Sequence, residues 1–538
     1  MARKAPKNSS LRPPPSVADS DTPRKIAIST EFRPEGDNHP PRWGQNFTEW
    51  QPRPKTTMKS SPPSNALLYL SALLLAPLLP AAPPNVVFIM ADDLGWADVG
   101  FHDAEFYETP NIDNLRAAGM EFSSAYPGAS NCMPSRSCLV SGMYVPRTGM
   151  WTPGTKAKGS KAAMKFLVPR NNDKRGDAVF PSKAALDPSI TSIAEVLKTA
   201  GYHTAHFGKW HLGPDGQGFD LNDTSGNGTG TKGSYYSDID VAGRLTDAAC
   251  KYITDNKEQP FFIYLCHWDV HTPITARKEV VSKYRDKLDK GHDWKRKWNP
   301  TYTAMIEAVD TSVGRIRKQL QDEGLEENTL LIFTSDNGGH SGVTWCDPLK
   351  GAKGAFFEGG IRVPTCMSWP GTIKPGTTTD IPITGVDLLP SLADLAGATL
   401  PANQPVDGKS WKPLLTGTDA PDLTDRAIFW HYPLYLSGAE YNKVLPVHGT
   451  DLPYWRATPC SVIRKGHWKL LQFFEDDSIQ LYNLKDDLGE TTDLANSHKE
   501  MAAALLAELK QWQQDTKAVI PHTPNPDFNP KSLSKNGR

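Results

Sequence analysis

Asn85-Val86-Val87-Phe88-Ile89-Met90-Ala91-Asp92-Asp93 is an apolar run that ends abruptly in two carboxylates. A continuous run without polar alternation predicts a strand over residues 86–90, buried on both faces of a sheet. Outward from it the pattern repeats. Residues 203–207, 261–265 and 330–333 are further apolar runs, each followed directly by a polar cluster. Between the last two, Tyr302, Met305, Ile306, Val309, Val313, Ile316 and Leu320 recur at helical spacing, with Pro300 near the start and Gly324 after the end. That spacing predicts a long amphipathic helix. Residues 191–199, stopped by Gly201, and 387–395, stopped by Gly397, read as two more. Strands alternating with helices argue for an α/β fold, a large mixed β-sheet sandwiched by helices, with ligands gathering at the carboxyl ends of the strands.

After about Asp425 the character shifts. Residues 461–463, 468–473 and 480–483 read as short antiparallel strands. A closing helix follows, with Ser497 and Glu500 as its expected capping box and Met501, Leu505, Leu509 and Trp512 on one face. We therefore divide the chain into a catalytic domain over 83–425, a smaller C-terminal subdomain of antiparallel sheet plus helix over 426–525, and a tail over 526–538. At the other end, residues 1–57 are rich in Pro, Arg, Lys and Ser without periodicity, which predicts disorder. Met58-Lys59, an apolar run over 66–79 and the small residues Ala81 and Ala82 form a signal-peptide layout over 58–82. Pro77 and Pro80 break the run, which is shorter than the roughly 20 apolar residues of a membrane span. Translation accordingly reads as starting at Met58, with the first 57 residues an erroneous extension and the mature protein periplasmic or secreted. The alternative is a cytoplasmic arm before a short anchor.

The 538 residues, 38% of them hydrophobic, suffice for a large core. A formal net charge of -1 gives no overall basic field, which argues against nucleic acid or a membrane surface as partner. Seven cysteines, at 132, 138, 250, 266, 346, 366 and 460, lack the paired short spacings of a zinc site. The count becomes even if Cys132 is consumed chemically, and an oxidising compartment then permits disulfides among the rest.

Asp92 and Asp93 follow one expected strand, and Asp336 with Asn337 follow another, so all four can meet at one sheet edge. A lone Asp-Asp commonly only caps a turn. Two such clusters make a hard-oxygen set that favours Ca²⁺ or Mg²⁺ over zinc, and flexible carboxylate and amide ligands lean towards Ca²⁺. Four further motifs carry reactive side chains: Cys132-Met133-Pro134-Ser135-Arg136 continuing to Ser141-Gly142; Gly208-Lys209-Trp210-His211-Leu212-Gly213; His271-Thr272-Pro273; and Lys350-Gly351-Ala352-Lys353-Gly354, followed by Glu358-Gly359-Gly360-Ile361-Arg362-Val363-Pro364.

In this order the motifs resemble those of the type I, formylglycine-dependent sulfatases, an arylsulfatase-like family of the alkaline phosphatase superfamily. The resemblance runs from Asn85 to about Leu494, including Leu481-Tyr482-Asn483-Leu484, and departs in the first 57 residues and in 434–455. It implies that a formylglycine-generating enzyme oxidises Cys132 to an aldehyde whose hydrate attacks sulfur. A thiol could not release sulfate by simple elimination, whereas a geminal diol expels it by re-forming its carbonyl. By the same resemblance, Arg136, Lys209 and Lys353 clamp the sulfate. His271 protonates the leaving alcohol, and His211 takes the proton that lets the covalent sulfate leave. Asp92, Asp93, Asp336, Asn337 and the modified Cys132 hold one divalent cation. His267 competes with His271, whose Thr-Pro context matches the family better.

Two other readings remain open. A phosphoester or phosphonate hydrolase shares the fold, although phosphatases of the superfamily typically hold two zinc ions with extra histidines. A non-catalytic glycan-binding relative would have lost a nucleophile or ligand, and none is missing. For the substrate, a sulfated small molecule or glycan, the sequence offers Lys156, Lys158, Lys161, Lys165, Arg170, Lys174 and Arg175, a basic stretch that reads first as a solvated loop and second as a polyanion contact. Trp268, Trp345, His340 and His431 are candidate sugar-site residues or ordinary core.

Overall fold

The computed structural model describes residues 83–214, 216–227, 235–290, 298–438 and 455–532. The expectations for residues 1–82, and most of the unmatched stretch within 434–455, lie outside these.

An eight-stranded sheet runs in the order Leu221–Asp223, His203–Gly208, Phe261–Cys266, Asn85–Ala91, Thr329–Ser335, Cys366–Ser368, Met120–Phe122, Thr377–Thr379. The first five strands are mutually parallel, and Cys366–Ser368 then pairs antiparallel on both sides, so the sheet is mixed as expected. Side chains of Asn85–Ala91 alternate between two apolar layers. Val86, Phe88 and Met90 meet Val196, Leu197, Leu389 and Leu392, while Val87 and Ile89 meet Leu245, Val309, Val313 and Ile316. Burial on both faces explains the uninterrupted apolar run.

Register sets up the site. Ala91 pairs with Ser335, Met90 with Cys266, and Gly208 with Cys266. The chain therefore leaves neighbouring parallel strands at one level as Asp92, Asp336, His267 and Lys209, which is the carboxyl-end crevice of an open α/β sheet.

The long helix forms as Pro300–Asp322, with the Asn299 side chain accepting from the Thr301 and Tyr302 amides. Ile193–Lys198 starts at a capping box of Ser192 and Glu195. Leu388–Ala396 ends at Gly397, whose φ of 66° is the left-handed conformation glycine supplies without strain.

The C-terminal sheet has four antiparallel strands, Ala427–Tyr432, Cys460–Lys465, Trp468–Phe473 and Ile479–Asn483. Helix Lys499–Asp515 covers it through Leu505, Leu509 and Trp512. The capping box expected at Ser497 and Glu500 does not form. The turn before the helix closes first, with the His498 amide on the Leu494 carbonyl at 2.9 Å, and the Ser497 hydroxyl donates to that same carbonyl at 3.1 Å. His498 becomes the N-cap without a side-chain bond. None of the seven cysteines is paired in a disulfide. No helix among the described residues is long and apolar enough to cross a membrane.

Candidate active site

Helix Cys132–Ser141 is buried along its whole length and presents its first residue, Cys132, to the sheet edge. One turn on, Arg136 Nε donates to Asp336 Oδ2 at 2.9 Å, and another guanidinium nitrogen donates to the Lys209 carbonyl. Three separately encoded motifs are thereby joined around one side chain. The Asp92 and Asp336 carboxylates and the Cys132 sulfur offer ligand atoms all within 4.8 Å of one another, and Asp92, Asp93 and His271 do the same.

Three cations face the three carboxylates. Lys209 Nζ donates to Asp92 Oδ2, Lys353 Nζ to Asp93 Oδ2 at 2.6 Å, and Arg136 to Asp336. Asn337 Nδ2 donates to Asp93 Oδ1 at 2.8 Å, and the Asp93 amide to Asp336 Oδ1 at 3.2 Å. Two buried oxygens, Asp92 Oδ1 and Asn337 Oδ1, have no protein donor. Unpaired acceptors in a desolvated place are costly unless something positive meets them. Burial pushes the Asp92 carboxyl up to about 7 against the pull of Lys209. For Asp93 burial also pushes upward, but Lys353, His271 and Lys209 outweigh it and hold the carboxyl well below its usual range. Arg136 and Lys209 likewise outweigh burial at Asp336 and lower it.

The loops that carry these groups are backbone-constrained. Asp93 and His211 occupy the left-handed region at φ 67° and 60°, a conformation uncommon for non-glycine residues. The Lys353 amide donates to the Gly339 carbonyl at 2.9 Å. A Cβ on Gly338 would lie 1.9 Å from the Gly359 carbonyl oxygen, so the Asn337 loop and helix Glu358–Ile361 pack backbone on backbone. His211 brings a partly exposed imidazole whose buried Nδ1 has no partner. Burial, then Lys209 and Arg136, lower its pKa to about 3.

The sulfatase family's sequence model matches residues 84–398, and one described as N-sulphoglucosamine sulphohydrolase, C-terminal, matches 352–516. The chain belongs to the sulfatase family. It is a sulfuric ester hydrolase of the arylsulfatase type. A sulfatase of Formosa agariphila is 32% identical over 83% of this chain and 93% of its own length. An N-acetylgalactosamine-6-O-sulfatase of Bacteroides thetaiotaomicron is 26% identical over 78% and 91%. Among solved structures, Ps i-CgsB in complex with a neocarrahexaose superposes with TM-score 0.62 at 26% identity, over 84% of this chain and 96% of that one.

In this sulfatase Asp92, Asp93, Cys132, Arg136, Lys209, His271, Asp336, Asn337 and Lys353 come together in the cluster and His211 lies in the field of Lys209 and Arg136, but the secondary candidates divide. His267 is fully buried, with Nε2 3.0 Å from Ser312 Oγ and Nδ1 without a partner, whereas His271 Nε2 lies 3.5 Å from Asp93 Oδ2. His431 belongs to the C-terminal core and not to a sugar site, because Ser461 Oγ at 2.7 Å and the Val519 carbonyl at 2.9 Å occupy both its nitrogens. His340 does adjoin the site, its imidazole lowered to about 3 by burial against the attraction of Asp93. Much of the basic stretch is neutralised locally. Arg170 and Arg175 pair with Asp173 and Asp527, and Lys156 with Asp177.

Tyr236 is a residue that sequence reasoning missed. Its ring lies 4.4 Å from that of His271, centroid to centroid, and Lys209 Nζ stands 5.2 Å over it. Trp268 packs edge-on against it at 4.8 Å. Tyr236 follows a Gly- and Thr-rich stretch with no periodicity, so no local signal marks it.

Proposed function

We propose that this sulfatase removes sulfate from a sulfated carbohydrate, with a nucleophile made from Cys132 working beside one divalent cation. The observation that carries the reading is the convergence of Cys132, Asp92 and Asp336 within 4.8 Å, next to two buried oxygens that lack a donor. An all-oxygen donor set with flexible carboxylates and an amide fits Ca²⁺, with Mg²⁺ as the second choice. Asp92, Asp93, Asp336, Asn337 and the modified side chain at 132 would hold the cation, which supplies positive charge beside the reacting oxygens. Formylglycine at 132 would supply, as its hydrate, a hydroxyl nucleophile and a second hydroxyl through which sulfate can be released. Cys132 is 2% exposed, so conversion by a formylglycine-generating enzyme precedes closure of the fold around it.

The chain's own residues do the rest. Lys209, Lys353 and Arg136 already balance three carboxylates, so a divalent cation plus a monoanionic sulfate ester adds only one unit of charge to the pocket. As they are fixed before substrate arrives, they stabilise charge growing on the sulfate oxygens without reorganising. His271 Nδ1 faces the Thr272 carbonyl and donates to it, which leaves Nε2, 3.5 Å from Asp93 Oδ2, to pass a proton to the leaving sugar oxygen. Tyr236 packs against that imidazole, with ring centroids 4.4 Å apart and planes tilted by 32°. His211, kept neutral by burial and by Lys209 and Arg136, accepts the proton when sulfate is released.

The carbohydrate preference draws support from the N-acetylgalactosamine-6-O-sulfatase relative and the oligosaccharide-bound structural neighbour. We further propose a catalytic part over 83–425 and a C-terminal subdomain over 426–525. On the signal-peptide layout of 58–82, we place the enzyme in the periplasm or outside the cell.

The test joins peptide mass analysis across residue 132 with paired assays on 4-nitrophenyl sulfate and 4-nitrophenyl phosphate. The proposal expects the aldehyde mass at position 132 and a strong preference for sulfate. An active protein with an unmodified cysteine, or one faster on phosphate, would overturn it.

A further inference from the structure

We infer that a cavity connected to the active-site cluster through Arg456, walled by the 356–357 segment, the 455–460 segment and the 471–480 hairpin, is a subsite for one uncharged hexose ring adjoining the sulfated one. This rests on the carbohydrate reading above and deepens it. The cavity measures about 180 Å³, the scale of a single ring rather than a chain.

Its walls have the mixed character that sugars need. Phe357, Trp455 and Phe473 supply aromatic faces for the C–H face of a pyranose, while Glu475 and Gln480 supply acceptors and donors for its hydroxyls. An empty packing defect would be lined by apolar groups alone. The Trp455 wall is fixed, because its ring lies over Gly159, where a Cβ would stand 2.6 Å from it, and packs 5.0 Å from Tyr435. The Tyr435 hydroxyl in turn donates to Glu475 Oε1 at 2.8 Å.

Arg456 connects the cavity to the cluster. It lines the wall and donates to the Lys353 carbonyl at 3.3 Å, and its charge is among those that keep His340 neutral. Arg456 thus joins the wall of the cavity to the backbone of the segment that carries Lys353. Charge around the cavity is balanced. Glu475 and Asp476 offset Arg456 and Lys165, whose ammonium lies 3.4 Å from the Glu475 carbonyl. With no net positive charge available, a second sulfate is disfavoured and a neutral ring fits.

The test is saturation-transfer NMR on the full chain with glucose, galactose, N-acetylglucosamine and N-acetylgalactosamine, repeated on Phe473→Ala and Gln480→Ala. Phe473 and Gln480 are half-buried, so these variants leave the core filled. At least one sugar is expected to bind, with affinity reduced about tenfold by Phe473→Ala and about threefold by Gln480→Ala. Both variants should keep wild-type turnover of 4-nitrophenyl sulfate. Absence of binding by all four sugars, or undiminished binding by both variants, would overturn the subsite. If instead the wild type binds a sugar yet leaves 4-nitrophenyl sulfate intact, the hydrolytic reading fails and the subsite stands.

Discussion

Two buried charge clusters in this protein look alike in composition and differ in what they leave undone. At the sheet edge, Asp92, Asp93 and Asp336 face Lys209, Lys353 and Arg136, yet Asp92 Oδ1 and Asn337 Oδ1 remain without donors. Under the C-terminal sheet, Glu358 and Glu490 face Lys469, Arg362 and Arg464, and each of their carboxylate oxygens lies against a cation, a hydroxyl or an amide, although Glu490 Oε1, 2.8 Å from the Lys469 ammonium, makes no aligned hydrogen bond. Lys469 reaches Glu358 at 2.9 Å and Glu490 at 2.8 Å, Arg362 and the Tyr126 hydroxyl each reach Glu358 at 2.7 Å, and the Glu358 amide reaches Glu490 at 2.6 Å. A closed network fixes packing, whereas a network with open acceptors is built to receive something. Burial alone does not separate structure from function here; at the sheet edge an oxygen faces neither a donor nor a cation, whereas Glu490 Oε1 faces the Lys469 ammonium.

The largest contrast should come from substitution. Cys132→Ala is expected to lower 4-nitrophenyl sulfate hydrolysis on the order of 10⁴-fold or more, as loss of a nucleophile does, while circular dichroism and melting stay near wild type. Lys469→Met should do the reverse. Removing one partner from a closed buried network costs about 3–5 kcal/mol, read by denaturant unfolding, with no selective loss of turnover in the protein that remains folded. Equal effects of the two variants on both readouts would erase the distinction.

A smaller effect sharpens the active-site half. Tyr236→Ala should lower turnover of an alkyl or sugar sulfate about tenfold, because a His271 no longer packed against a ring is poorly positioned to deliver its proton. Turnover of 4-nitrophenyl sulfate, whose leaving group needs little protonation, should fall less. Tyr236→Phe keeps the ring and should restore both. A loss that is the same for both leaving groups would reduce Tyr236 to packing.

The smallest effect is a pH dependence in the closed network. Burial raises the Glu490 carboxyl from 4.5 to about 7, with Lys469 pulling down and Glu358 pushing up. The folded protein then binds more protons than the unfolded chain across that interval, so this group's contribution to stability is full below about pH 4.5 and is lost as pH rises towards 7. Glu490→Gln should remove that component, and the difference in unfolding free energy between wild type and variant should vary with pH over the same window. A pH-independent difference would contradict the assignment.

How much of this was written in the chain depends on burial and length. Strands buried on both faces, such as Asn85–Ala91 and Thr329–Ser335, show themselves as apolar runs, and their carboxyl ends announce the cluster. Met120–Phe122, Leu221–Asp223, Cys366–Ser368 and Thr377–Thr379 are three residues each, too short to set up a period, and went unread. Ser497 misled because its spacing to Glu500 fits a cap, while the competing bond to Leu494 depends on a turn that spacing does not reveal. Tyr236 and Arg456 reach the site from a turn and a short strand, where only tertiary placement gives them a role.

The most direct test of the central claim is calorimetric titration of chelator-stripped protein with CaCl₂, for wild type and Asn337→Leu. The account predicts one site per chain in the wild type and its loss in the variant, whose side chain is apolar and of similar size. No binding by the wild type, or an unchanged single site in Asn337→Leu, would contradict it.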